Sequence, residues 1–137
     1  MVLTPHPGEA ARLLGMSTAE VNADRIGAAR RLSDLSGAAV LLKVARTVIA
    51  GTAGEIYVNA SGTPGMATPG MGDVLSGMIG ALLAQRLAPL DALALGAFVH
   101  GYAADRLATR IGPAGYLAGD LADELPAALA SLATSGA

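Results

Sequence analysis

Hydrophobic and polar positions change their spacing several times along the chain, and each change marks the border of an element. Residues 2–4 read as a short strand that runs straight into Pro5-His6-Pro7-Gly8-Glu9. Pro7 suits the first turn of a helix, where its missing N–H leaves no bond unmade. A short helix is therefore expected over 9–14, closed by Gly15. Ser17 or Thr18 can cap the next helix, with Glu20 just inside its positive end. Val21, Ile26, Ala29, Leu32 and Leu35 follow at helical spacing and predict one helix stopped by Gly37. Arg25, Arg30, Arg31 and Asp34 form its solvated face. The period then changes. Residues 38–42 are a continuous apolar run, as expected of a strand covered on both faces. Two further strands are expected over 47–50 and 55–58, joined by a hairpin turn at Gly51-Thr52-Ala53-Gly54. Residues 59–72 form the longest irregular stretch, rich in glycine and proline, and long loops in compact domains are often functional. Helices are predicted over 73–85, 89–110 and 116–132, the last open to interruption at Pro126. There is no internal repeat and no linker, so 1–137 reads as a single domain.

Composition narrows the class. Of 137 residues, 53% are hydrophobic and only 15% charged, which suits buried helices or extra surface buried against a partner. Aromatics are 3%, so the core must be built from small aliphatic side chains and methionine. A net charge of −2 without a basic cluster argues against nucleic acid as a partner. The apolar run 74–84 falls well short of the roughly 20 residues a membrane span requires, and no basic leader opens the chain. No membrane association is expected. The absence of cysteine excludes disulfides and thiolate metal sites and fits a cytoplasmic location.

The most informative segment is Pro69-Gly70-Met71-Gly72-Asp73-Val74-Leu75-Ser76-Gly77. A helix N-terminus carries unpaired N–H groups and a partial positive charge, and glycines before it let an anion come close. Gly70 and Gly72 are therefore candidates to cradle a phosphate. Asp73 has two readings on local pattern. It is an N-cap in favourable contact with the helix dipole, or a general base beside a hydroxyl that attacks phosphorus. Spacing does not choose between them. His100 lies within an apolar helix and reads as a packed core histidine; no spacing of His, Asp or Glu suggests a protein metal site.

Several stretches carry a resemblance to a known family. SGTPGMATPGMGDVLSGMIGALLAQ resembles the signature of the ADP/ATP-dependent NAD(P)H-hydrate dehydratases, a branch of the ribokinase-like superfamily. LTPHPGEAARLLG, VLLKVARTVIAG, PLDALALGAFVHGYAAD and GPAGYLAGDLADELPAAL resemble further parts of that family in the same order. The resemblance covers nearly the whole chain. It implies an α/β fold: a ribokinase-like three-layer α/β/α domain represented by its C-terminal, helix-rich half.

The implied activity is repair of hydrated NADH or NADPH. The hydroxyl on the nicotinamide ring is phosphorylated at the expense of ADP or ATP, with Mg2+ arriving on the nucleotide, and phosphate is then eliminated. By that resemblance Asp73 is the catalytic base, and Gly70, Met71 and Gly72 bind the transferred phosphate. Lys43, Val44, Ala45, Arg46, Thr47 and Gly70 bind the adenine nucleotide, and His6, Asn59 and Asp73 the hydrated substrate. The family carries glycine after the lysine, where this chain has Val44, and a small residue where it has Pro69.

Length is the largest departure. Members of the branch carry an additional N-terminal half, with the opening strands of the sheet, ahead of the His-Pro-Gly-Glu motif. The expectation is a truncated domain whose exposed apolar edge is covered by association, as a homo-oligomer. Two other functions share the glycine loop: a small-molecule kinase of the same superfamily, and a non-catalytic nucleotide-binding or oligomerising remnant.

Overall fold

A computed structural model describes residues 1–135. The elements run β1 (Val2–Leu3), α1 (Pro7–Leu14), α2 (Thr18–Ala23), α3 (Arg25–Ser36), β2 (Ala39–Leu42), β3 (Val48–Ala50) and β4 (Ile56–Val58). A 3-10 turn (Pro64–Met66) follows, then α4 (Met71–Ala84), α5 (Pro89–Ile111) and α6 (Ala118–Ser135). The four strands form one sheet in the order β1-β2-β3-β4.

The sheet is mixed, and the hairpin expected at 51–54 joins β3 to β4. β1 and β2 are parallel, while β3 and β4 each run antiparallel to their predecessor. Connection length explains this. A parallel pair needs a long crossover, which α1–α3 supply between β1 and β2, whereas the short links after β2 and β3 can only reverse the chain. β2 is buried along its whole length, and its side chains alternate between two cores. Val40 and Leu42 pack with Ala10, Val21 and Leu32 of the first three helices. Ala39 and Leu41 pack with Leu75, Ile79 and Leu93 of α4 and α5. That gives three layers, α/β/α. A third core, without strand residues, joins α4, α5 and α6 around Tyr116, Leu107 and Leu121.

Three helix boundaries depart from expectation. The helix foreseen from Ser17 to Gly37 is two helices, because Asp24 ends α2 and caps α3, its carboxylate accepting the Gly27 N–H at 2.8 Å. An aspartate bonded to the backbone in this way competes with helix continuation. The break turns Ile26 and Leu35 outward, 43% and 74% exposed. α4 starts at Met71, so Asp73 stands inside the first turn and Gly70, with φ of +88°, occupies the cap. α6 begins at Ala118 and runs on through Pro126. Glu124, buried between Arg106 (2.7 Å) and Arg110 (2.9 Å), ties α6 to α5 and helps to offset the lost backbone bond.

Candidate active site

A cleft of about 630 Å³ opens where β2 and β3 meet the glycine-rich loop and α4. The 43–47 connection forms one wall and residues 59–67 form another. Met71, Gly72 and Leu75 close it from α4, and Ala97 and His100 from α5. Of the residues singled out from sequence, Lys43, Val44, Ala45, Arg46, Thr47, Asn59, Met71 and Gly72 line this space. His6, Gly70 and Asp73 do not line it: Gly70 and Asp73 flank Met71 and Gly72 in the chain, and His6 is linked to it through Glu9 and Lys43.

The first turn of α4 explains how an anion could be held. The N–H groups of Met71, Asp73 and Val74 are used within the loop and helix, bonded to the carbonyls of Thr68, Gly70 and Gly70 at 3.3, 3.1 and 3.1 Å. Gly72 N–H has no partner among the described residues. The Cα of Gly72 faces Lys43: a Cβ built there would lie 3.6 Å from the ammonium nitrogen. One free amide and one lysine thus converge at the positive end of a helix.

Lys43 also reaches the other motif. Its backbone N–H is bonded to Pro5 O at 2.8 Å, and its ammonium lies 3.9 Å from Glu9 Oε2. Glu9 and His6 form a capping box at the start of α1, with histidine in the place a serine usually holds. His6 Nδ1 accepts from Gly8 N (3.1 Å) and Glu9 N (3.3 Å), and Glu9 Oε2 accepts from His6 N (2.8 Å). Because Nδ1 is an acceptor, the neutral ring carries its proton on Nε2, which lies 3.4 Å from Glu9 Oε1. The His6 N–H, and secondarily Lys43, hold the Glu9 carboxyl below the usual glutamate range. Two helix N-termini therefore meet across one lysine.

The other residues fix the cleft walls. Asn59 Nδ2 donates to Ala97 O at 3.1 Å, while its Oδ1 lies 2.9 Å from the Ser61 hydroxyl. Asp105 receives the Gly62 N–H on both oxygens, at 3.1 and 3.2 Å. Thr63 Oγ1 and the Tyr116 hydroxyl share a short hydrogen bond. Val44 packs partly against the core beneath α1–α3, and Arg46 takes a left-handed conformation, φ 59°, at the turn into β3. Asp73 is exposed, and its carboxylate has no partner among the described residues.

Ser61, Thr63 and His100 are cleft residues that sequence reasoning missed. His100 is buried as foreseen, yet it is also part of the wall. The available signal was the neighbouring Gly101, where a Cβ would lie 2.6 Å from the Ser61 carbonyl carbon. A glycine demanded by close backbone approach locates the loop that crosses it.

The three layers and the cleft define a ribokinase-like α/β domain. A ribokinase-like superfamily protein from Enterococcus faecalis matches with a TM-score of 0.80 and 31% identity, over 95% of this chain and 44% of its own. The chain belongs to the NAD(P)H-hydrate dehydratase family, whose sequence profile matches residues 1–127.

It is similar to the bifunctional NAD(P)H-hydrate repair enzyme Nnr of Moorella thermoacetica, 51% identical over 96% of this chain and 25% of the relative. It also resembles the ADP-dependent (S)-NAD(P)H-hydrate dehydratase of Neisseria meningitidis, 51% identical over 89% of this chain and 42% of that one. The Bacillus subtilis ADP/ATP-dependent NAD(P)H-hydrate dehydratase, crystallised with ATP and Mg2+, matches with a TM-score of 0.88 and 32% identity, over 95% of this chain and 48% of its own. The chain thus spans between a quarter and a half of the length of these relatives. No helix among the described residues is long and apolar enough to cross a membrane.

Proposed function

We propose that this chain supplies the nucleotide-binding side of an ADP-dependent dehydratase acting on hydrated NADH or NADPH. The observation that carries the proposal is the unpaired amide of Gly72, a residue whose Cα lies beside the Lys43 ammonium at the start of α4. A phosphoryl group seated there would meet a backbone donor, a helix dipole and an ammonium together. The 43–47 connection then borders the rest of the nucleotide, with Gly70 and Met71 shaping the turn that receives its terminal phosphate.

The chemistry follows from charge. Asp73 accepts the proton of the ring hydroxyl, whose oxygen bonds to the terminal phosphorus of ADP as the bond to the bridging oxygen breaks and AMP leaves. Phosphate then departs with the electrons of its carbon–oxygen bond. A proton is lost from the adjacent ring carbon, restoring the double bond. A free carboxylate in the first helical turn suits the base, because no internal hydrogen bond must be broken first. His6 is proposed to meet the substrate through its Nε2 side, since Nδ1 is engaged in the cap. Asn59, committed to Ala97 and Ser61, would border the substrate by holding the wall in place.

Mg2+ is proposed to enter on the nucleotide. Among the described residues no three His, Cys, Asp or Glu side chains converge to cage a metal ion. Phosphate oxygens and water, the usual partners of Mg2+ in phosphoryl transfer, would hold it and let it neutralise phosphate charge.

Incubation with hydrated NADPH, ADP and Mg2+ should restore NADPH absorbance. Asp73→Asn should abolish turnover while leaving ADP affinity within about twofold, the range expected when a base is removed but not a binding group. ADP binding without turnover in the unchanged chain would instead select the non-catalytic alternative. Failure to bind ADP would overturn the proposal outright.

We also propose self-association. β1 and β4 each leave one sheet edge unpaired, and a groove of about 420 Å³ lined by Leu3, Pro5 and Leu13 runs beside β1. Light scattering at micromolar concentration should give at least a dimer mass; a monomer would overturn this.

A further inference from the structure

His100 is buried in α5, 5% exposed, and its Nε2 lies 3.0 Å from the carbonyl oxygen of Met71. A carbonyl can only accept, so Nε2 carries the proton and donates. The acceptor belongs to the peptide group that joins Met71 to Gly72. That group is planar and trans, so fixing its C=O also fixes its N–H, which points the opposite way. The N–H in question is the amide of Gly72, which has no partner among the described residues and belongs to the residue beside Lys43 that lines the cleft. Hydrogen bonding at the oxygen also polarises the peptide and strengthens its N–H as a donor.

We infer that His100 is a positioning residue: by gripping the Met71 carbonyl, it aims the Gly72 amide at the anion in the cleft. The bond spans 29 residues and joins α5 to the first turn of α4, a turn whose glycines give it little side-chain support of its own. Burial of the imidazole lowers its pKa and keeps it neutral near pH 7, with the Met71 bond opposing that shift. Nδ1 then has no proton and no partner among the described residues, and the residue lines the cleft.

The inference rests on the proposal that the cleft receives a nucleotide phosphate, but its geometric part can be tested apart from it. In 15N-labelled chain, His100→Leu should move the Gly72 amide resonance upfield, and His100→Gln, whose amide can still donate, should restore most of the shift. ADP should bind about fivefold more weakly to His100→Leu than to the unchanged chain, the loss expected for one hydrogen bond, with recovery in His100→Gln. Adenosine, which lacks phosphate, should bind all three alike. A Gly72 resonance indifferent to both substitutions overturns the assignment, as does an equal loss of adenosine and ADP. Should His100→Leu fail to fold, the ring tautomer in the unchanged chain decides: an Nδ1–H imidazole overturns it. If the unchanged chain binds no ADP, the nucleotide proposal falls, while the amide shift still decides the role of His100.

Discussion

At the scale of single residues, His6 does at α1 what Ser17 does at α2. Both close a capping box with a glutamate three positions on, Glu9 and Glu20. The serine box is recognisable from sequence because serine is a common cap; the histidine box is not, since a ring nitrogen seldom takes that part. The glutamate makes the box sensitive to acid. Glu9 has its carboxyl held below the usual range in the folded chain, so its stabilisation is full above that range. It is lost as pH falls through the lowered folded value. Glu9→Gln keeps an acceptor but no titrating group. In urea melts followed across the acid range, the unchanged chain should therefore lose its advantage over the variant, by about 1 kcal/mol or less because the side chain is half exposed. Parallel curves would remove the charge from the account. The same locality governs what could be read in advance. Gly72 was picked out because a helix start advertises itself over a few residues, whereas Lys43 entered through the resemblance. The ties of Asn59 to Ala97 and of His100 to Met71 join positions 38 and 29 apart, and no local pattern encodes them.

At the scale of elements, the cleft depends on how closely the 59–63 loop lies on α5. Asn59, Ser61 and Gly62 are each bonded to that helix, through Ala97, Phe98 and Asp105. Gly101 makes the approach possible, because a side chain there would meet not only the Ser61 hydroxyl but also its backbone, the Cβ lying 2.7 Å from the carbonyl oxygen. Gly101→Ala should lift the loop, destabilising the fold by about 1–3 kcal/mol and weakening nucleotide binding. Gly77→Ala, with open space around it, should do neither, and thermal melting with ADP titration of both variants would test the contrast. Strands 2 to 4 and the long helices were legible because their apolar periods are unambiguous. The division at Asp24 was not. An aspartate at helical spacing looks solvated until its carboxylate is seen on the Gly27 N–H. The antiparallel part of the sheet was readable from the short connections after β2 and β3, the second of which was expected as a hairpin.

At the scale of the whole molecule, a chain with few aromatic side chains holds its sheet to the helix layers through aliphatic contacts. β2 is where the layers meet, since its alternate side chains enter both cores and none is exposed. Leu41, fully buried, packs on the face shared with Leu75, Ile79 and Leu93, so it couples the sheet to the two helices that frame the cleft. Truncating it leaves a cavity the neighbouring strand and helices cannot collapse to fill. Leu41→Ala should therefore destabilise by roughly 2–5 kcal/mol, against a total of roughly 5–15 for a natural domain. Leu35 is the matched control: the same residue type at 74% exposure, where alanine should change stability by about 0.5 kcal/mol or less. Urea unfolding followed by circular dichroism should move the midpoint for Leu41→Ala with little change in slope. If the loss is transmitted through the sheet, ADP binding should weaken only as the folded fraction falls. Equal midpoints for the two variants would show that the layers are not held together at β2.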